Sequence, residues 1–154
     1  MGGMPSLNTT ILIVEDDPND VLFLKMALEA VGVQNPVVEA KDGRDALDYL
    51  SGEGPYADRK RYPLPYLLLL DLKLPHLMGL DLLKWIRQRA ELDCLIIIVL
   101  TSSANPADID AAYQLGANAY LVKPSSFEKL KALAQSLKDF WLLHNQPGSN
   151  LYDT

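Results

Sequence analysis

Acidic, hydroxyl and basic side chains stand at the ends of short apolar segments, which is where parallel sheets place chemistry. Asp71 directly follows four consecutive leucines, residues 67–70. Such a run is typical of a strand buried on both faces. Because desolvation excludes a charge from the strand interior, we expect Asp71 to lie where the strand leaves the sheet and to be the chemical centre. The matching groups are Glu15, Asp16 and Asp17 after the first apolar segment, Thr101 and Ser102 after the fourth, and Lys123 after the fifth.

Acids gathered at one sheet edge predict a cation site. Two carboxylates about 4 Å apart repel by about 4 kcal/mol at an effective dielectric of about 20. A hard divalent cation relieves that repulsion, and a set of oxygen ligands favours Mg²⁺. The acids at positions 15–17 and 71 therefore predict bound Mg²⁺.

The same groups suit phosphoryl transfer, which needs mainly positioning and charge stabilisation. Asp71 could act as a nucleophile and form an acyl phosphate. Lys123 would supply a cation for the phosphoryl oxygens, and Thr101 a hydroxyl donor. The alternative for any one of these residues is a strand-end polar group with a local cap.

Five strands alternate with five helices in the hydropathy pattern. We predict strands over residues 9–14, 36–40, 66–70, 95–100 and 119–122, and helices over 18–31, 44–50, 79–90 and 106–115, with a last helix capped by Ser125 or Ser126. Such alternation predicts an α/β fold: a doubly wound, three-layer arrangement in which helices cover both faces of a parallel sheet. With strand order 2-1-3-4-5, Asp16 and Asp71 would face each other across the switch-point crevice.

Two helices carry more apolar residues than one core-facing stripe needs. Leu22, Phe23 and Met26 point away from the predicted core stripe of the first helix. They are either isolated exposed residues or a docking face for a partner helix. Leu137, Phe140 and Trp141 make the last turns apolar nearly all round, which predicts a homodimer through this helix. The alternative is that this turn packs over the loop 51–65.

The connection 51–65 is unusually long for a compact domain, and such loops are often functional. It holds glycines, prolines and the basic run Arg59-Lys60-Arg61. The run is either a solvated cationic loop or a partner contact.

Composition limits the function classes. The chain has 154 residues, a net charge of −6 and one cysteine, Cys94. These values argue against nonspecific binding to DNA or anionic lipid and exclude an internal disulfide. No apolar run approaches the ~20 residues of a membrane span, so we expect a cytoplasmic protein. We also expect one domain over 9–145 between a disordered segment, 1–8, and a flexible tail, 146–154, with His76 and His144 on the surface.

The motifs together resemble the receiver domain of two-component response regulators. They are Ile-Leu-Ile-Val-Glu15-Asp16-Asp17, Asp71-Leu-Lys-Leu-Pro75, Leu100-Thr101-Ser102 and Lys123-Pro124. Each is weak alone, but their combination and order are highly specific. The resemblance covers residues 10–143 and implies a flavodoxin-like, CheY-like sheet of five strands in the order 2-1-3-4-5.

This resemblance implies a role for each matching residue. Asp71 would accept a phosphoryl group from a histidine kinase or a phosphotransfer protein. The Mg²⁺ ligands would be Asp16, Asp71, the backbone carbonyl of Lys73 and, through water, Glu15. The phosphoryl-binding and switch residues would be Thr101, Ser102, Tyr120 and Lys123, and the Lys123–Pro124 bond would be cis. The protein would catalyse only its own phosphorylation and dephosphorylation, so we do not expect an enzyme with a separate substrate.

Finer features resemble the small regulators that partner bacterial and cyanobacterial phytochrome kinases. They are the long connection after the second helix, with Gly52, Gly54, Tyr56, Arg59 and Pro65, and the segment Phe140-Trp141-Leu142. Two residues depart from the family pattern: Tyr66 replaces an acidic or polar residue, and Lys73 a commoner asparagine.

Three other classes compete with this interpretation. A haloacid-dehalogenase-type phosphatase would need a second Asp where Lys73 stands. A flavodoxin would need a phosphate loop rich in Gly, Ser and Thr where Glu15-Asp16-Asp17 stands. A receiver-like interaction module that is never phosphorylated is the third, although every reactive position is filled.

Overall fold

The structure, a computed structural model, describes residues 9–144. The predicted terminal segments 1–8 and 146–154 lie outside this range. No helix within the described range is both long and apolar enough to cross a lipid bilayer.

Five parallel strands form one sheet, in the order β2-β1-β3-β4-β5. The strands are β1 Ile11–Val14, β2 Val37–Ala40, β3 Leu67–Leu70, β4 Ile96–Thr101 and β5 Ala119–Val122. The predicted flavodoxin-like fold and strand order are therefore confirmed. Val14 of β1 pairs in register with Leu70 of β3. As a result, the residues that follow, Glu15 and Asp71, leave the sheet side by side.

Helices cover both faces of the sheet. They are α1 Pro18–Ala30, α2 Gly43–Ser51, α3 Gly79–Arg87, α4 Pro106–Gln114 and α5 Phe127–Leu137. Side chains alternate along each strand, so Ile11 and Ile13 pack with α1 and α5. Leu12 and Val14 pack on the opposite face with α2, α3 and α4. The sheet thus separates two apolar cores, and its carboxyl edge is left for polar groups.

The predicted element bounds are right to within a few residues, and the caps explain several of them. Asp17 accepts a hydrogen bond from the Asn19 N–H at 2.9 Å and is the N-cap of α1, as predicted. Ser126, rather than Ser125, caps α5. The prediction for α3 was too long, because the helix ends at Arg87 and a 3-10 turn, Ala90–Leu92, follows.

The end of α5 continues directly into a π-helical turn, Lys138–His144. The Tyr66 hydroxyl donates a hydrogen bond to the backbone carbonyl of Trp141 at 2.6 Å. Lys138 Nζ donates to the carbonyl of Val31, just after α1, at 2.8 Å. These two bonds fix the turn to the edge of the fold opposite Asp71.

Candidate functional site

Asp71 lies at the carboxyl end of β3, buried except for 7% of its surface. Its Oδ1 accepts hydrogen bonds from the Thr101 hydroxyl at 2.8 Å and from the Lys73 backbone N–H at 3.1 Å. Its Oδ2 accepts one from Lys123 Nζ at 3.0 Å. Both carboxylate oxygens are therefore oriented by donors, and the group stays ionised in a buried position.

The neighbouring strands deliver these donors to Asp71. Thr101 is the last residue of β4 and is fully buried. Lys123 follows β5, and its backbone N–H donates to the Thr101 carbonyl at 2.8 Å. The ladder between β4 and β5 thus fixes both donors with respect to β3. Gly79, at the start of α3, leaves no room for a Cβ against the Asp71 carbonyl, so this helix also packs directly on the site.

Three acids meet at this edge. One carboxylate oxygen each from Glu15, Asp16 and Asp71 lies within 4.8 Å of the other two. Glu15 and Asp71 are buried, and Asp16 is exposed to solvent. Asp17 does not join them, since its side chain caps α1. Of the three acids predicted after β1, two therefore belong to the cluster.

Lys123 is the cation of the cluster. Its Nζ contacts Glu15, Asp20 at 2.9 Å and Asp71 at 3.0 Å. Burial alone would lower the pKa of Lys123, but the hydrogen bonds to the three carboxylates outweigh it and raise the pKa above its ordinary value. The ammonium group therefore stays charged, as a phosphoryl-binding group must.

The two buried carboxyl groups titrate in opposite directions. Burial, reinforced by Asp71, raises the pKa of Glu15 to about 9. Burial would also raise the pKa of Asp71, but hydrogen bonds with Glu15, Lys123 and Thr101 lower it below its ordinary value. Within the described residues, Glu15 Oε2 is buried and accepts no hydrogen bond. Asp71 is thus the anionic nucleophile candidate, whereas Glu15 keeps its proton up to about pH 9 and has a buried oxygen without a partner among residues 9–144.

The residues predicted to surround the acceptor lie at different distances from it. The Tyr120 hydroxyl donates to the carbonyl of Ser103, in the loop after β4, at 2.8 Å. Tyr120 is half-buried, and Ser102 is exposed. The Lys73 side chain is exposed, while its N–H bonds Asp71. Thr101 ends β4 and Tyr120 lies on the neighbouring strand β5, and the Ser103 carbonyl in the loop after β4 connects the two.

The prediction of a cis Lys123–Pro124 bond was wrong. All peptide bonds in the described part of the chain are trans. An X–Pro bond prefers trans by about 0.5–1 kcal/mol unless its surroundings favour cis. Here the trans chain already brings Lys123 Nζ to Asp71, so the lysine contact does not require the rarer isomer.

The apolar residues predicted to form partner surfaces differ in their exposure. Leu22, Phe23 and Met26 are all about half exposed on α1, on the side away from the core. Leu137, however, is 3% exposed and packs in the core beside Ala134. Its assignment to a dimer face was wrong, because the core-facing stripe of α5 ends on this residue.

The other members of the predicted dimer patch differ in exposure. Phe140 is 59% exposed, and Trp141 is half-buried against the core. The exposed part of the patch is therefore smaller than the sequence predicted.

Cys94 is also partly buried against that core.

Asp20 is the site residue that the sequence analysis missed. It stands in the first turn of α1, three residues after the N-cap Asp17. Helical side chains lean toward the N-terminus of their helix, so this position points back to the carboxyl edge of the sheet. The helical spacing was a usable signal, but acids in a first helical turn are common for dipole reasons alone.

The arrangement is that of an aspartate-centred signalling domain on a five-stranded parallel sheet. The family model "Response regulator receiver domain" matches residues 11–135. The chain therefore belongs to the response regulator receiver family, and its function lies in two-component signalling.

Two relatives are similar to this chain over most of their own length. Response regulator Rcp1 of Synechocystis sp. (strain ATCC 27184 / PCC 6803 / Kazusa) is 34% identical over 132 residues, which cover 86% of this chain and 88% of Rcp1. The probable methanogenesis regulatory protein FilR2 of Methanothrix harundinacea (strain 6Ac) is 37% identical over 142 residues, covering 90% and 87%.

Solved structures superpose closely on the fold. The phosphorylated cyanobacterial phytochrome response regulator RcpA gives a TM-score of 0.85 at 33% identity, covering 92% of this chain and 99% of RcpA. The Mn²⁺-bound form of Rcp1 gives 0.82 at 32% identity, with the same coverage. The chain is thus similar to stand-alone, phytochrome-associated response regulators.

Proposed function

We propose that Asp71 accepts a phosphoryl group from a sensor histidine kinase, directly or through a phosphotransfer protein. The observation that carries the proposal is the pairing of its two carboxylate oxygens, one with the Thr101 hydroxyl and the other with the Lys123 ammonium. During the transfer, the same hydroxyl and ammonium groups would stabilise the charge that develops on the phosphoryl group.

The transfer is a substitution at phosphorus. An Asp71 oxygen forms the new P–O bond as the P–N bond of a phosphohistidine breaks, and the imidazole nitrogen keeps the electron pair of that bond. Lys123 and Thr101 hold the phosphoryl oxygens in line for the attack. Burial of Asp71 excludes most water from the acyl phosphate.

The acid cluster fits a divalent cation, which we assign as Mg²⁺. Glu15, Asp16 and Asp71 offer oxygens within 4.8 Å of one another, and Glu15 Oε2 is buried without a donor. Asp16, Asp71 and the Lys73 carbonyl would hold the ion, with Glu15 acting through water. When bound, Mg²⁺ neutralises charge on the incoming phosphoryl group. The Mn²⁺-bound form of the similar protein Rcp1 supports this assignment.

Phosphorylation would be passed on through Thr101 and Tyr120. The acyl phosphate adds about −1.5 to −2 charges and new acceptor oxygens. Thr101 would follow those oxygens, and Tyr120 would leave the Ser103 carbonyl and turn into the space so vacated. This movement biases the face formed by α4, β5 and α5 between two arrangements.

Two surfaces are assigned to partners. The patch Leu22, Phe23 and Met26 lies on α1 beside the site, and we assign it to docking of the kinase. The similarity to the phytochrome regulator RcpA favours a phytochrome as that kinase. Phe140 and Leu143 are exposed after α5 beside half-buried Trp141, and we assign them to a homodimer contact. A mass in sedimentation that stays monomeric at every concentration would contradict the dimer.

Intact mass spectrometry tests the central proposal. Incubation with acetyl phosphate and Mg²⁺ should add about 80 Da, the mass of one phosphoryl group, and base should remove it. Asp71→Asn should stay unmodified, while Asp81→Asn, an exposed acid in the first turn of α3, should react like the parent. An unmodified parent would instead support the interaction module that is never phosphorylated.

A further inference from the structure

All three N–H donors of the Lys123 ammonium group are occupied. This group carries three N–H bonds, and it contacts three carboxyl groups, those of Glu15, Asp20 and Asp71. A phosphoryl group that approaches Asp71 brings further acceptor oxygens to the same ammonium while Asp71 is still a carboxylate, before the new P–O bond forms. One of the three present contacts must therefore be exchanged when the phosphoryl group arrives.

The three carboxyl groups differ in how readily they can release Lys123. The side chains of Glu15 and Asp71 are 6% and 9% exposed, whereas that of Asp20 is 42% exposed. A buried carboxyl group that loses its donor is left with an unsatisfied acceptor oxygen, which is costly whether the group is charged or neutral. Asp20 can replace the ammonium group with water, so its contact is the least costly to give up.

We propose that Asp20 is a positioning residue that holds Lys123 in the resting protein and yields it to the phosphoryl group, which slows phosphorylation. This inference rests on the proposed phosphorylation of Asp71. In the step, a Lys123 N–H exchanges a carboxylate acceptor for a phosphoryl oxygen, and water solvates Asp20. No proton moves from Lys123, whose charge is needed by both acceptors.

The fold fixes Asp20 for this role. It lies in the first turn of α1, which begins at the Asp17 cap. The next residue, Val21, is buried in the core with Leu24. Because that turn is anchored on both sides, Asp20 keeps its carboxylate 2.9 Å from Lys123 Nζ although it is half-exposed. A flexible surface acid would hold the ammonium group only transiently.

The test compares rates of phosphorylation by acetyl phosphate in Mg²⁺, followed by intact mass. Asp20→Asn should react about two- to five-fold faster, the factor expected for loss of a partly exposed ion pair. Asp20→Glu keeps the charge and should restore the parent rate. Hydrolysis of the acyl phosphate should change less than two-fold, since Lys123 contacts the phosphoryl group before and during that step.

A matched control separates the contact from general charge repulsion. Asp81→Asn removes the same charge from the first turn of another helix and should leave the rate unchanged. The effect of Asp20→Asn should persist at about 0.5 M salt, where the screening length of about 4 Å still exceeds the contact distance. Circular dichroism verifies that each variant is folded.

The outcomes are distinguishable. A parent protein that takes up no phosphoryl group would overturn the proposed function and this inference with it. A reactive parent with an unchanged or slower Asp20→Asn would overturn the role of Asp20 alone. An equal acceleration in Asp81→Asn, or one lost in salt, would also overturn it, because the cause would then be long-range repulsion.

Discussion

The hydroxyl of Thr101 donates a hydrogen bond to Oδ1 of Asp71 at 2.8 Å, and both residues are buried. The bond joins the carboxyl ends of β3 and β4. Thr101 therefore links Asp71 directly to β4. The loop that follows β4 is linked in turn to Tyr120, whose hydroxyl donates to the Ser103 carbonyl. This chain of contacts is the physical basis for the proposed switch.

Thr101→Ala should uncouple phosphorylation from its output. Asp71 would still accept the phosphoryl group, but no hydroxyl would follow it, so Tyr120 would stay bound to the Ser103 carbonyl. Phosphorylation should then no longer change kinase affinity or self-association, measured by calorimetry and sedimentation. Loss of a donor to a buried carboxylate should also lower the free energy of unfolding by about 1–3 kcal/mol, measured in urea.

Thr101→Ser is the control for this variant, because it keeps the hydroxyl and removes only a methyl group. It should keep the phosphorylation-dependent response. Coupling that survives intact in Thr101→Ala would remove Thr101 from the switch.

Glu15 should make stability depend on pH when chelator removes metal ions. Burial and Asp71 raise its pKa from 4.5 to about 9 in the folded protein. The folded state therefore binds a proton that the unfolded state has lost. The contribution of Glu15 to the free energy of unfolding is greatest below about pH 4.5. This contribution should fall as the pH rises toward about 9.

Urea unfolding at a series of pH values measures this effect. Glu15→Gln cannot release the proton, so its stability should vary less over the same range. Mg²⁺ should stabilise the parent at pH 8 more than it stabilises the Gln variant. Equal pH slopes for both proteins would show that Glu15 does not titrate in this window.

The sheet edge was predictable because strand ends are marked in the sequence by a change from apolar to polar residues. Asp71 after its leucines and Lys123 after β5 needed only that signal and the topological rules for parallel sheets. Asp20 was not predictable with the same ease, since it follows no strand and an acid in the first turn of a helix is common for dipole reasons alone.

The hydropathy pattern also could not predict which side chains near the end of α5 are buried. An apolar surplus says that some residues are exposed, but the helix rotation against the sheet decides which ones. Leu137 is in the core, and Phe140 is outside. The isomer of the Lys123–Pro124 bond likewise depends on tertiary context, which no local sequence signal supplies.

Arg59 should prove structural rather than a partner contact. Its guanidinium donates to the carbonyls of Tyr49, Leu50 and Tyr62 at 2.7, 2.9 and 3.1 Å, which satisfies the end of α2 and closes the loop 51–65. Arg59→Ala should lower the free energy of unfolding by about 1–3 kcal/mol, because these carbonyls lose a charged donor. Urea unfolding measures the change.

Lys60→Ala is the matched control, since Lys60 is exposed in the same loop and surface substitutions usually change stability by less than about 0.5 kcal/mol. A similar loss in both variants would mean that Arg59 acts only through the charge of the basic run.

Tyr66 should anchor the C-terminal turn. Its ring is buried at the start of β3, and its hydroxyl donates to the Trp141 carbonyl at 2.6 Å. Tyr66→Phe keeps the ring and removes the donor, so the free energy of unfolding should fall by about 0.5–1.5 kcal/mol. Because the lost bond lies in the turn Lys138–His144, protease cleavage there should become faster while cleavage elsewhere does not. Tyr113→Phe, an exposed tyrosine on α4, should leave both measurements unchanged. If Tyr66→Phe also left the cleavage rate unchanged, the turn would be held by packing of Trp141 and Leu142 against the core instead.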